Sequence, residues 1–101
     1  ESLNRDFSAV ETKALSDEEI GDLEDEQKNE QLAIYWCAKE AIFKLTSQYD
    51  VDFAEQIQID GFRYRNEGEL SATFTDKDGY EQELNLYYFT FDRHVLVCVS
   101  A

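Results

Sequence analysis

The sequence predicts an α+β fold in which a short helix and a long central helix pack on an antiparallel sheet. Three features predict it: a capping-box pattern opening at Ser16, a helix-forming run over about Gln27 to Gln48, and short β-rich segments filling the chain after Tyr49. Helices first and strands afterwards is the order of an α+β domain. At 101 residues the chain fits a single domain, 1–101. Its 43% hydrophobic and 14% aromatic content supplies a core despite 32% charged residues, which excludes wholesale disorder.

In Ser16-Asp17-Glu18-Glu19 the serine is placed to accept from the Glu19 amide, and acids fill the first turn, where the helix dipole favours them. Gly21 and the acidic stretch Asp22 to Glu26 lead into the long helix as a solvated linker. The middle of that helix reads Leu32-Ala33-Ile34-Tyr35-Trp36-Cys37-Ala38, apolar on every side for two turns. Such a helix is surrounded by protein and belongs at the centre of the fold. The strands expected after it are Gln56 to Ile59, Leu70 to Thr75, Tyr80 to Phe91 and His94 to Ser100, with turns at Asp78-Gly79 and Asp92-Arg93.

The formal net charge of −14 argues against nucleic acid or an anionic membrane as partner. Residues 1–30 form the acidic end, with eleven acids against Arg5, Lys13 and Lys28. No apolar run approaches the roughly 18 residues of a membrane span. Cys37 and Cys98 lack metal-type spacing and read as small buried hydrophobes of a reducing, cytoplasmic compartment. The chain contains no Met and opens on Glu1, so a segment upstream is expected to have been removed. His94, the only histidine, sits beside a turn and reads as structural, and Tyr87, Tyr88, Phe89 and Phe91 read as core and sheet-face residues because no basic groove accompanies them.

The anomaly is Lys39, Glu40 and Lys44 in an otherwise apolar helix. Glu40 and Lys44 are four apart and share a face. Two readings follow: an ordinary i, i+4 ion pair on a solvated strip, or a ligand or metal site, which explains charges in an apolar helix better than stability does. The stretch Trp36-Cys37-Ala38-Lys39-Glu40-Ala41-Ile42-Phe43-Lys44 resembles the W-x-x-K-E-A-x-x-K signature of the 4′-phosphopantetheinyl transferase superfamily, matching at Trp36, Lys39, Glu40, Ala41 and Lys44. Leu15-Ser16-Asp17-Glu18-Glu19 is similar to that family's F-L-S-x-x-E segment, with Ala14-Leu15 in place of the usual aromatic. Asp52-Phe53 with the strand after it, and the closing His94 to Val99, are similar to the family's last strands.

The resemblance implies a phosphopantetheinyl transferase-like lobe, specifically the C-terminal half of the two-lobed, surfactin-synthetase-activating type. It implies Mg²⁺ and coenzyme A as cofactor and co-substrate, and an acyl or peptidyl carrier protein as partner, in fatty acid, polyketide or nonribosomal peptide biosynthesis. It also implies a missing N-terminal lobe, or self-association in its place. On the same resemblance Glu40 is a metal ligand or the base that accepts the serine proton, and Lys44 neutralises the pyrophosphate. Lys39 binds phosphate or supports Glu40. Glu1 stands where the last Glu of a preceding G-I-D-x-E strand would fall, which would make it a second metal ligand. The competing expectation is a non-catalytic acidic interaction domain of helix-on-sheet type, which the net charge favours because carrier proteins are themselves acidic.

Overall fold

The computed structural model describes residues 1–46 and 51–100. In chain order the elements are α1 (Ser8–Lys13), α2 (Asp17–Gly21), a 3₁₀ turn (Asp25–Gln27), α3 (Lys28–Thr46), β1 (Ile57–Ile59), β2 (Glu67–Thr75), β3 (Glu81–Phe91) and β4 (His94–Ser100). The four strands form one antiparallel meander in the order β1-β2-β3-β4, as the α+β reading requires. Positions 47 and 48, the expected end of the long helix, lie outside the described residues.

The capping box at Ser16 forms as predicted. The Ser16 hydroxyl accepts from the Glu19 amide at 3.3 Å, and the Glu19 carboxylate accepts from the Ser16 amide at 2.9 Å. Helix α1 was not expected, because its six residues carry neither a side-chain N-cap nor a clear apolar stripe. Packing supplies what local propensity lacks: Phe7 at its N-cap is buried, and Val10 lies against the core.

Strand alternation divides the sheet into two faces. Leu70, Ala72 and Phe74 of β2, Leu84, Leu86 and Tyr88 of β3, and Val95 of β4 point inward, where they meet Leu32, Ala33, Ile34, Tyr35, Ala38 and Ile42 of α3. Residues 31–35, Ala38 and Lys39 of α3 are buried and place that helix in the core, but Trp36 and Cys37 are half-buried, so the all-round enclosure expected of the run is only partly met. Strand β2 starts three residues earlier than expected. Glu67, Gly68 and Glu69 are poor strand formers, but their partners Phe89, Tyr88 and Tyr87 hold them in the ladder. A Cβ on Gly68 would meet the Tyr88 ring at 3.1 Å, so glycine permits that close approach.

Both predicted hairpin turns are present. Gly79 takes a φ of 88° in the first, and Asp92 and Arg93 take φ of 50° and 60° in the second, the pair of positive angles that matches strand twist in a two-residue hairpin. Residues 1–3 add to the far edge of the sheet: Glu1 and Val95 exchange backbone hydrogen bonds, and the Leu3 amide donates to the Arg93 carbonyl.

The β3 aromatics divide between core and sheet face as expected: Tyr88 enters the core, and Tyr87, Phe89 and Phe91, of the opposite strand parity, lie on the outer face. One expectation needs correction, since the thiols are not buried: Cys37 is half-buried on α3 and Cys98 is exposed on the outer face of β4. The sheet separates them, and both are free.

The Tyr35 hydroxyl is buried without a hydrogen-bond partner among the described residues, and burial raises its pKa. A buried polar group left unpaired costs stability. Tyr35→Phe is therefore expected to raise stability by about 1 kcal/mol, read as a higher urea midpoint with an unchanged slope; a lower midpoint would show that the hydroxyl is satisfied after all.

Candidate functional site

Helix α3 presents its charged residues to two different environments. Glu40 is half-buried and Lys44 exposed, four residues apart and on one side of the helix. Lys39, about 100° around the helix from Glu40, is fully buried at 0% exposure. The i, i+4 ion pair that would explain Glu40 and Lys44 as surface charges is not formed: the ion pairs among the described residues are Arg5–Glu1, Lys28–Glu11 and Lys39–Glu19. Glu40 and Lys44 therefore stand side by side with their charges uncommitted to each other.

Lys39 occupies a built polar chamber. Its ammonium donates to the Glu19 carboxylate at 2.6 Å, to the Phe53 carbonyl at 2.6 Å and to the Ala14 carbonyl at 2.8 Å. An ammonium has three protons, and these partners use all of them. Burial lowers the Lys39 pKa, while the hydrogen bond and charge of Glu19 act against that shift. The phosphate contact expected of Lys39 is unavailable in this arrangement, because the side chain has neither a free donor nor an exposed atom. Sequence reasoning placed Glu19 in a capping box and in the family-like segment but gave it no partner beyond α2, although the same carboxylate also accepts from the Ile59 amide at 2.9 Å.

Glu1 lies at the sheet edge, where its pairing with Val95 of β4 holds it beside α3. Its carboxylate is met by Arg5 at 3.3 Å on each oxygen. The Cys37 thiol feels Glu1 and Glu40 together: burial pushes its pKa up to about 11, with the N-terminal ammonium and Arg5 opposing and both carboxylates reinforcing the shift. Glu1 and Glu40 thus each act on the Cys37 thiol, one from the sheet edge and one from α3. Asn29, which sequence reasoning passed over, ties residues 3–7 to the start of α3. Its amide oxygen accepts from the Phe7 amide at 2.8 Å, and its nitrogen donates to the Arg5 carbonyl at 3.0 Å. A lone Asn in the first turn of a long helix was the available signal.

With the Cys37 pKa near 11 against 9.0 for an unperturbed thiol, its thiolate fraction at pH 8 is about a hundredfold lower. Alkylation of Cys37, followed by peptide mass, is expected to be slow at pH 8 and to climb toward pH 11. Rapid labelling at pH 8 would mean that the thiol is neither shielded nor close to the two carboxylates.

Among the described residues, no group of three or more His, Cys, Asp or Glu is arranged to hold a metal. The two candidate donors, Glu1 and Glu40, are hard carboxylate oxygens. A Mg²⁺ ion commonly takes one or two carboxylates and fills its remaining positions with substrate phosphates and water. The residues present thus suit that ion in kind. An open cleft of about 620 Å³ lies elsewhere, lined by Gly21, Asp22, Glu24, Gly61, Phe62 and Arg63, none of them a signature residue.

A central helix with Glu40 and Lys44 on one side, neither in an ion pair among the described residues, laid over an antiparallel meander, defines an α+β domain. The model of the 4′-phosphopantetheinyl transferase superfamily matches residues 1–99, and the chain belongs to that superfamily. No curated protein and no solved structure matches the chain. Among the described residues no helix is long and apolar enough to cross a membrane.

Proposed function

We propose that this chain is the C-terminal lobe of a two-lobed 4′-phosphopantetheinyl transferase of the surfactin-synthetase-activating type. It would carry part of the site that moves phosphopantetheine from coenzyme A to a serine of an acyl or peptidyl carrier protein. The observation that carries this reading is the pair Glu40 and Lys44, adjacent on one side of α3 yet not ion-paired, in a chain that belongs to the transferase superfamily.

Mg²⁺, when bound, supplies charge neutralisation at the pyrophosphate as the departing phosphate gains negative charge. Glu40, half-buried and without a cation partner among the described residues, offers a hard oxygen ligand or, as the alternative, takes the serine proton directly or through water. Glu1 offers the second ligand from the strand beside β4. Lys44, exposed on a flexible stem, reaches the pyrophosphate as a point charge, the electrostatic contribution on which phosphoryl chemistry chiefly depends.

The outer sheet face supports a second lobe. Tyr87 (40% exposed), Phe91 (57%) and Leu96 (47%) stand in open solvent beside half-buried Phe89. The Phe89 and Phe91 rings stack at 5.9 Å, and Tyr87 follows Phe89 at 6.5 Å. A continuous apolar patch of this kind marks an interaction surface more often than a bare one. The missing lobe, or a second copy in its place, would cover it. Two free thiols fit a cytoplasmic setting.

The test is intact-mass detection of phosphopantetheine added to an apo carrier protein from coenzyme A and Mg²⁺, with this chain alone and joined to its upstream lobe. Transfer only with the upstream lobe establishes a split site, and transfer by the chain alone means that it assembles a complete one. No transfer in either form, across several carriers, overturns the reading.

A further inference from the structure

Lys39 and Glu19 form a cluster that the chemistry above does not use, and it connects more of the fold than any other polar group. The Glu19 carboxylate accepts from Lys39, from the Ser16 amide at 2.9 Å and from the Ile59 amide at 2.9 Å. Lys39 in turn reaches the carbonyls of Ala14 and Phe53. The Ser16 hydroxyl gives its one proton to the Gln58 side chain at 2.8 Å, and Gln58 donates onward to the Ala54 carbonyl. Five segments therefore meet at one buried ion pair: the end of α1, the start of α2, the middle of α3, the loop before β1, and β1 itself.

A buried ion pair with every donor and acceptor used is near break-even in stability against an apolar pair of the same volume. What an apolar pair would not supply is a fixed rotation of α3. Apolar contacts tolerate a helix that turns or slides by a fraction of a residue, whereas the directed bonds from one ammonium to three acceptors on three segments do not. Glu40 is the next residue after Lys39. A slip of α3 by one position moves it about 1.5 Å along the axis and about 100° around it.

We propose that Glu19 is a positioning residue. Its buried carboxylate, bound to Lys39, fixes the turn of α3 that carries Glu40, and Lys39 serves this bond and not a phosphate. The inference rests on the transferase reading. It adds Glu19, which touches no substrate in that reading, and moves Lys39 from ligand to support.

The experiment compares Glu19→Gln, Lys39→Met and the double variant in the form of the protein that transfers phosphopantetheine, at a temperature where circular dichroism shows each to be folded. The proposal predicts that Glu19→Gln lowers kcat at least tenfold while KM for coenzyme A stays within about twofold, since a misplacement near 1 Å costs up to about 10² in rate. Lys39→Met should give the same split, and the double variant should lose no more than the worse single. The Lys39 ammonium signal, visible by ¹H–¹⁵N correlation only while held and shielded, should vanish in Glu19→Gln. If Lys39→Met does not fold, Lys39→Arg and Glu19→Gln carry the comparison. A raised KM in the Lys39 variant, with Glu19→Gln fully active, would return Lys39 to a phosphate contact and overturn the proposal while leaving the transferase reading intact. Absence of transfer by the parent protein would sink that reading, and the proposal with it.

Discussion

Glu40→Ala is expected to cut phosphopantetheine transfer by roughly 10²–10³-fold, the usual consequence of removing one group that stabilises developing charge, while leaving the fold intact. The two halves of this expectation have separate grounds. Glu40 is half-buried and takes no part in an ion pair among the described residues, so its removal orphans no partner, and the stability change should stay within about 0.5 kcal/mol. The expected loss of rate rests on the proposed role of Glu40, whose carboxylate oxygen is the kind of donor Mg²⁺ takes. The rate of phosphopantetheine transfer followed by intact mass with and without Mg²⁺, together with a urea melt of the same sample, reads both. A variant that keeps its rate removes Glu40 from the chemistry, and one that loses rate and midpoint together makes it a structural residue.

The largest expected effect on stability comes from the neighbouring side chain. Lys39→Met should cost about 3–5 kcal/mol, because the Glu19 carboxylate would remain buried without its cation. That is a large part of the roughly 5–15 kcal/mol that holds a domain of this size together. The double variant Glu19→Gln/Lys39→Met removes the stranded charge and should recover much of the loss, whereas Lys44→Ala, at an exposed position, should shift the urea midpoint hardly at all. Equal losses for Lys39→Met and Lys44→Ala would contradict the burial on which the contrast depends.

These two neighbours show where sequence reading succeeds and where it stops. The signature helix, the capping box and the four-strand meander were legible because each is written in local pattern: all-round apolarity, Ser16 three residues before Glu19, and alternation bounded by Asp78-Gly79 and Asp92-Arg93. Which of the four β3 aromatics turns outward was not legible from the sequence. Parity alone decides which of Tyr87, Tyr88, Phe89 and Phe91 turns inward, and the register that sets parity is a property of the partners in β2 and β4. Helix α1 was missed for a similar reason, since its few residues gain their stability from Phe7 in the core.

By itself the sequence determined the class of fold, the order of its elements and the superfamily, because these depend on periodicity, turn chemistry and a spaced signature carried by consecutive residues. Only the tertiary structure decided what the charges of that signature do. Lys39 and Glu40 are adjacent in the chain and both charged, yet one is enclosed by Glu19, Ala14 and Phe53 and the other is only half-buried. A helix turns about 100° between them, and which side meets protein is fixed by segments distant in sequence. Burial and satisfaction of a charge are long-range properties, which no local pattern in the chain encodes.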